Sequence, residues 1–306
     1  MYKTLKKTFI TVFILFAIIV GITLYVGNYV YDYTLNRYST KSILENIPID
    51  EDDLEKSRKW LNKNSLDVYI KSDDNLQLHA SYIDQKSKVY VIMIHGYRGE
   101  GASIISPIKK MKSQKYNILI PDLRGHGQSE GDYIGMGWDD REDILKWIDY
   151  ILSIDSQASI VLYGVSMGGA TVLNVAGEPL PSQVKAIIED CGYTSVWDVF
   201  QTHIPMEKWQ SHIALKMASW TTWLRAGYRL EDVQPIKQVQ KSKTPILFIH
   251  GQDDWFVPSE MLDELYNAAS CPKEKLLVNH ASHANSCSVA SQVYYDTILT
   301  FIKKNI

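Results

Sequence analysis

The sequence is short of cysteine, of net charge and of repetition, and each shortage narrows what the chain can be. Its three cysteines, Cys191, Cys271 and Cys287, show neither Cys-x-x-Cys spacing nor the pattern of a disulfide framework. They read as small buried or surface thiols, and a Cys271–Cys287 pair is the one disulfide left open, provided the domain lies outside the cell. None stands near the N-terminus, so lipoprotein attachment there is excluded. A formal net charge of −3 over 306 residues creates no field that would draw in nucleic acid. Internal repeats, low-complexity tracts, metal-ligand clusters and dinucleotide-binding loops are all missing, so neither cofactor nor metal is expected. The length suits one large α/β domain, or two small ones, with ample core.

Apolar residues are abundant at the N-terminus. Thr8 to Tyr31 carries no charge and is dominated by Ile, Val, Phe and Leu, enough for a helix across a bilayer. Lys3, Lys6 and Lys7 precede it, and Tyr25, Tyr29, Tyr31 and Tyr33 gather at its far end. The positive-inside rule then puts the N-terminus in the cytoplasm and everything after Asp32 outside, with the tyrosines at headgroup level. A cleavable signal peptide is the competing reading. The apolar run is longer than a usual signal core, however, and no small-x-small site follows it. Residues 1–34 are therefore read as a single-pass membrane anchor and residues 35–64 as a stalk followed by a packing helix. In that helix Asp50 caps Glu51 to Asn62, and Leu54, Trp60 and Leu61 form a narrow apolar stripe.

From residue 65 to 306 the pattern is that of one domain. Leu66 to Ile70 and Leu76 to Ile83 alternate about the turn Ser72-Asp73-Asp74-Asn75, a hairpin at a sheet edge. Continuous apolar strands follow at Val89 to Ile94, Tyr116 to Ile120, Val184 to Ile188, Pro245 to Ile249 and Lys275 to Val278, with a further one opening on the apolar run Ser159-Ile160-Val161. Helical stretches separate them at Ala102 to Gln114, Trp138 to Ser153, Ser259 to Ser270 and Val289 to Lys304. This alternation implies a mostly parallel sheet covered on both faces, with ligands bound at its carboxyl edge. About residues 193–243 interrupt it with a helical, aromatic-rich insertion that contains Trp197, Phe200, Trp209, Trp220, Trp223 and Leu224. Such an insertion is expected to cap the carboxyl edge, its aromatics either selecting substrate or packing the cap onto the domain.

Chemistry concentrates at the strand ends. Gly164-Val165-Ser166-Met167-Gly168, between an apolar strand and helix-compatible residues, has the form of a nucleophile elbow. There a serine hydroxyl stands on a sharp turn, open to a base on one side and a carbonyl on the other. The turn His95-Gly96-Tyr97-Arg98-Gly99 can offer the backbone N–H of Tyr97 to the same point. With the N–H of Met167 it supplies the two donors of an oxyanion hole. His95 precedes that hole and reads as structural. Asp253 and Asp254 compete as the acid after one strand, and His280 and His283 compete as the base after the last.

Four motifs in this order, H-G-Y-R-G at 95–99, D-L-R-G-H-G-Q-S at 122–129, G-V-S-M-G-G at 164–169 and H-G-Q-D-D-W-F-V-P at 250–258, precede a terminal A-S-H-A at 281–284. With them, the chain from about residue 65 onward resembles the serine hydrolases of the α/β-hydrolase superfamily, in particular small membrane-anchored bacterial members. The resemblance implies Asp254 rather than Asp253 as acid and His283 rather than His280 as base, with Asp190 a minor alternative for the acid. It gives Asp122 and Arg124 a loop-fixing role and His126 no catalytic one. It further implies cleavage of carboxylic esters of small-molecule acyl substrates through an acyl-Ser166 intermediate, as in carboxylesterases and lipases. Peptidase, amidase or acyltransferase chemistry with the same residues remains the alternative, and a non-catalytic binding module the remote one. Oligomeric state is not readable.

Overall fold

A computed structural model describes residues 2–39, 50–204 and 206–306. Helix α1 (Tyr2–Thr34) comes first, then α2 (Glu51–Asn64), β1 (Leu66–Lys71), β2 (Gln77–Ile83), β3 (Val89–Ile94), α3 (Ile105–Ser113), β4 (Asn117–Pro121), α4 (Asp139–Ile154), β5 (Ser159–Val165), α5 (Met167–Val175) and β6 (Val184–Asp190). An insertion of α6 (Val196–His203), α7 (Lys208–Ala226) and α8 (Pro235–Val239) leads to β7 (Ile246–Gly251), α9 (Glu260–Ala268), β8 (Lys273–Val278), α10 (Ser286–Val289) and α11 (Ser291–Asn305). The strands form one eight-stranded sheet in the order β1-β2-β4-β3-β5-β6-β7-β8. β2 runs antiparallel to both neighbours, and β3 to β8 are parallel throughout.

The two-residue alternation of a strand explains how one sheet serves two cores. In β5, Ile160 and Leu162 face a layer containing Trp147 of α4, Val172 of α5 and Leu265 of α9. Val161, Tyr163 and Val165 face a second layer containing Ile108 of α3 and Ile298 and Phe301 of α11. Both faces being covered, the central strands read in sequence as unbroken apolar runs. The edge hairpin turns where expected: the Ser72 amide donates to the Leu76 carbonyl at 3.0 Å, and Asn75 takes a positive φ of 69°. α2 is capped by the Asp50 side chain, which accepts from the Asp53 amide, and it buries Leu61.

The structure departs from the sequence expectations at three places. First, residue 35 does not begin a stalk. Val30, Tyr31 and Leu35 are buried in the main core, so the distal turns of α1 are part of the domain. Residues 40–49 of the expected stalk lie outside the described residues. Second, Cys271 and Cys287 are free thiols. Cys271 precedes the amino end of β8, whereas Cys287 lies beyond its carboxyl end in α10, and the strand between them spans about 20 Å. A disulfide requires Cα atoms within about 7 Å. Third, the insertion packs fewer of its aromatics than a packing role requires. Phe200 is buried and Trp197 partly so, but Trp209, Trp220, Trp223 and Leu224 are exposed. Upstream, α1 is long and apolar enough to cross a membrane, and its side chains from Leu5 to Ile22 face outward.

Candidate active site

Ser166 joins β5 to α5 with φ 57° and ψ −119°, a conformation that a non-glycine residue keeps only when its surroundings impose it. The imposition comes from both sides of the corner. The Ser166 amide donates to the Asp190 carbonyl at 2.8 Å. A Cβ on Gly164 would stand 2.0 Å from the Gly168 carbonyl oxygen, and one on Gly168 would stand 2.3 Å from that of Ile94. Only glycine lets strand, turn and helix close this tightly, and the hydroxyl is thereby raised at the carboxyl edge of the sheet.

Two loops from later in the chain meet it there. His283 Nε2 lies 2.8 Å from Ser166 Oγ, and His283 Nδ1 lies 2.8 Å from Asp254 Oδ2. An ionised Asp254 can only accept, which puts the ring proton on Nδ1 and leaves the Nε2 lone pair facing the hydroxyl. Burial opposes a charge on Asp254. The ring N–H groups of His250 and His283 and the Val257 amide outweigh that penalty and hold the carboxyl well below the usual aspartate range. The amides of Phe256 and Val257 both donate to its Oδ1 at 2.9 Å.

The competing candidates go elsewhere. Asp253 and His280 face each other at the surface, 3.7 Å apart. Asp190 lines the cavity beside Ser166, but its carboxylate takes the Tyr294 hydroxyl at 2.7 Å, and Tyr294 in turn meets the Tyr163 hydroxyl at 2.7 Å. Burial, only partly offset by Tyr294, pushes Asp190 up to about 6. His95 is wholly buried: its Nδ1–H donates to the Gly96 carbonyl at 2.8 Å and its Nε2 accepts from the Leu123 amide at 3.2 Å. Burial depresses its basicity, so the ring is a neutral brace. His126 accepts from the Arg98 amide at 3.1 Å, and burial, reinforced by the neighbouring His95, takes it down to about 3. Asp122 accepts from His79 and from the Gln128 amide, and Arg124 grips Asp143 through Nε and Nη2 at 2.7 and 2.8 Å, so both fix the loop after β4.

The turn at 95–99 passes directly over the serine: a Cβ on Gly96 would stand 3.4 Å from Ser166 Cβ and 3.8 Å from Oγ. Among the described residues no internal acceptor takes the amide N–H of Tyr97 or of Met167. Free amides on both sides of a serine are what an oxyanion requires. The cavity beside Ser166 measures about 490 Å³, with apolar walls from Ile104, Pro107, Tyr163 and Val165 and hydroxyls from Ser103 and Ser288. Among the described residues, none from the insertion lines it. The insertion's approach to the site is indirect: His203 stacks on Phe256 at 4.2 Å, and the Phe256 ring lies 5.1 Å from that of His283.

Two features escaped the sequence reasoning. His250, wholly buried, sets Nε2 3.2 Å from Asp254 Oδ2 and 3.0 Å from the Val257 carbonyl. Its place at the end of an apolar strand, four residues before Asp254, was the available signal. The other is the segment after α1. The Tyr97 hydroxyl donates to the Thr34 carbonyl at 2.7 Å, Arg98 donates to the carbonyls of Asn36 and Ser39, and Arg37 donates to those of Gly127, Ser129 and Gly131. No local pattern connects residues so far apart in sequence.

Comparison with known proteins agrees with this architecture. The family described as alpha/beta hydrolase fold matches residues 89–226. The uncharacterised protein YqkD of Bacillus subtilis is 27% identical over 214 residues, which cover 69% of this chain and 70% of that one. Among solved structures, the esterase Pf2001 of Pyrococcus furiosus superposes with a TM-score of 0.65 at 20% identity, covering 81% of this chain and 95% of its own. An acylaminoacyl peptidase of Pyrococcus horikoshii gives a TM-score of 0.60 at 17% identity, over 79% of this chain and 42% of that one. The fold is that of the α/β-hydrolases.

Proposed function

We propose, from the premise of an α/β-hydrolase fold, that this chain is a serine hydrolase that cleaves carboxylic esters by way of an acyl-enzyme, tethered to the outer face of the cell membrane by α1. The observation that carries the reading is the chain of two 2.8 Å hydrogen bonds from Ser166 through His283 to Asp254. His283 Nε2 takes the hydroxyl proton as Oγ attacks the acyl carbonyl, and the charge developing on the ring is balanced by Asp254, which stays ionised. The tetrahedral oxyanion forms against the Tyr97 and Met167 amides. His283 then returns its proton to the leaving alcohol. Water, deprotonated by the same imidazole, releases the acid and restores Ser166.

The mostly apolar cavity next to the serine supports an acyl group of modest size as the part that is held. The three lysines before the apolar run support the orientation, cytoplasmic N-terminus and outward domain. A fluorophosphonate probe tests the chemistry: it labels the wild type and not Ser166→Ala, and a folded wild type that stays unlabelled refutes the reading. p-Nitrophenyl esters of graded chain length beside aminopeptidase substrates separate esterase from peptidase. Protease treatment of intact cells tests the tether, because a C-terminal tag must be digested and an N-terminal one spared.

A further inference from the structure

The insertion carries a surface that the hydrolytic site does not use. Helix α7 buries Ser211, Ala214, Leu215, Ala218 and Thr222 against the domain. Around the helix from these stand Trp209 (65% exposed), Ile213 (46%), Trp220 (49%) and Leu224 (64%). At 100° per residue these four fall within an arc of about 60°, a stripe running the length of the helix. Trp223 borders it, with the Trp220 and Trp223 rings 6.0 Å apart edge to face. The Arg229 guanidinium lies 4.4 Å from the Trp220 ring centre and 5.8 Å from that of Trp223.

What adjoins this stripe is α1. A Cβ on Gly27 would stand 2.6 Å from the Met217 carbonyl oxygen and 2.3 Å from Thr221 Oγ1, so the two helices touch backbone to backbone. Four residues further along α1, the Arg225 guanidinium sits 4.1 Å over the Tyr31 ring, and it donates to Asn28 Oδ1 at 3.3 Å. Gly27 with Met217 and Tyr31 with Arg225 set the two helices running the same way. The Trp209 end of α7 is thus directed back toward the apolar length of α1. Met217 lies about 40° around the helix from Ile213, which places the stripe on the flank next to α1.

We infer that α7 lies in the outer-leaflet interface of the bilayer as a second, non-spanning contact, with its indoles at the boundary between headgroups and acyl chains. This rests on the reading of α1 as the transmembrane anchor. A helix fixed to the emerging anchor and pointed back along it brings its exposed stripe to the lipid. Indoles favour that boundary because they pair an apolar body with one N–H donor. Arg229, stacked on two of them, keeps its charge toward the phosphates while its stem covers apolar surface. A lipid bilayer is the occupant chosen over a second copy of the chain because the stripe flanks α1 where that helix also exposes apolar side chains, Leu24 beside the α7 contact and Tyr25 and Tyr29 around the helix from it.

The test uses the full chain in vesicles of phosphatidylcholine and phosphatidylglycerol, with and without acyl chains brominated near the headgroup. All eight tryptophans lie after α1, so contact quenching of their emission reports on the domain and not on the spanning helix. Brominated lipid is expected to quench roughly a third of the wild-type emission, the share of three interfacial indoles among eight. The triple variant Trp209→Phe, Trp220→Phe, Trp223→Phe is expected to lose nearly all of that quenching while still labelling with fluorophosphonate. The single Trp220→Phe variant, expected to lose part of it, decides the matter if the triple variant does not fold. Protein that stays with the vesicles through an alkaline wash but is quenched no more than the triple variant overturns the inference and leaves the anchor standing. Protein washed off removes both. Crosslinks between the α7 helices of two copies, without quenching, give the surface to a second chain and overturn it too.

Discussion

The hydroxyl of Tyr97 donates to the main-chain carbonyl of Thr34 at 2.7 Å, so the turn above Ser166 hangs from the last residue of α1. Removing the Tyr97 hydroxyl leaves the Thr34 carbonyl without this donor in a buried setting. Tyr97→Phe is expected to lower stability by about 1 kcal/mol, read as a drop in thermal midpoint. A fragment starting at residue 23 keeps Val30, Tyr31, Thr34 and Leu35 and should match the ester hydrolysis of the full chain in detergent. One starting at residue 40 loses three buried apolar side chains, each worth roughly 1.5–3 kcal/mol, and should fail to fold or to turn over substrate.

Removal of the proposed nucleophile or of the proposed base should cost about the same. Ser166→Ala and His283→Ala are each expected to lower kcat by several orders of magnitude, and the double variant little further, because the two act as one unit. Asp254→Asn, which spoils the tautomer but not the shape, should cost about four orders of magnitude. Asp253→Asn and His280→Ala, whose side chains meet each other at the surface, should leave turnover within about twofold of wild type. Steady-state kinetics on one p-nitrophenyl ester checks all six.

Buried acids give stability a definite slope with pH. Burial raises Glu189 to about 8 and Asp140 to about 7, and raises Asp190 to about 6 against its bond from Tyr294. An acid whose folded value exceeds its unfolded value near 4 binds its proton more tightly when folded. Its contribution is complete below about pH 4 and is lost as pH rises through the folded value. Asp254 has the opposite sign, since its lowered value favours the fold above the ordinary aspartate range and is lost only in strong acid. The depressed imidazoles of His95 and His126 work the other way, favouring the fold as pH rises toward the ordinary histidine range, so it is from about pH 7 to pH 9 that the raised acids set the trend and the melting temperature should fall as pH rises. Glu189→Gln keeps the acceptor for the Gly192 amide, which lies 2.8 Å from Glu189 Oε2, and should flatten the upper part of that fall. A pH series of thermal melts decides it.

The thiols should be silent. Cys191 and Cys271 are buried, and burial pushes both thiols up, so neither forms thiolate readily. Reductant is expected to leave the thermal midpoint unchanged, and mass analysis of the oxidised full chain should count three free thiols. A disulfide between Cys271 and Cys287 would contradict the fold at β8.

How much of this was readable in advance depended on how local the signal was. The eight strands and the elbow were legible because apolar runs and glycine spacing act over a few residues. The choice of Asp254 and His283 over their neighbours came from motif resemblance; alternation alone left both pairs open. Boundaries slipped where helices meet turns: the last helix, expected from Val289, is broken at Ala290 and resumes at Ser291. His250 offered only its place at a strand end before Asp254, and the bracing of the 95–99 turn by Thr34, Asn36 and Ser39 and the burial of Leu35 were not readable. Each depends on residues brought together by topology, and the apolar composition that marked α1 as membrane-crossing says nothing about which of its turns a soluble domain will cover.

Phe256 joins the insertion to the site. Its ring is wedged between His203 at the end of α6 and His283 beside the nucleophile, and close-packed rings have no slack in which to absorb a push. The insertion thus meets the ring of the proposed base through Phe256, while among the described residues none of its own side chains lines the cavity beside Ser166.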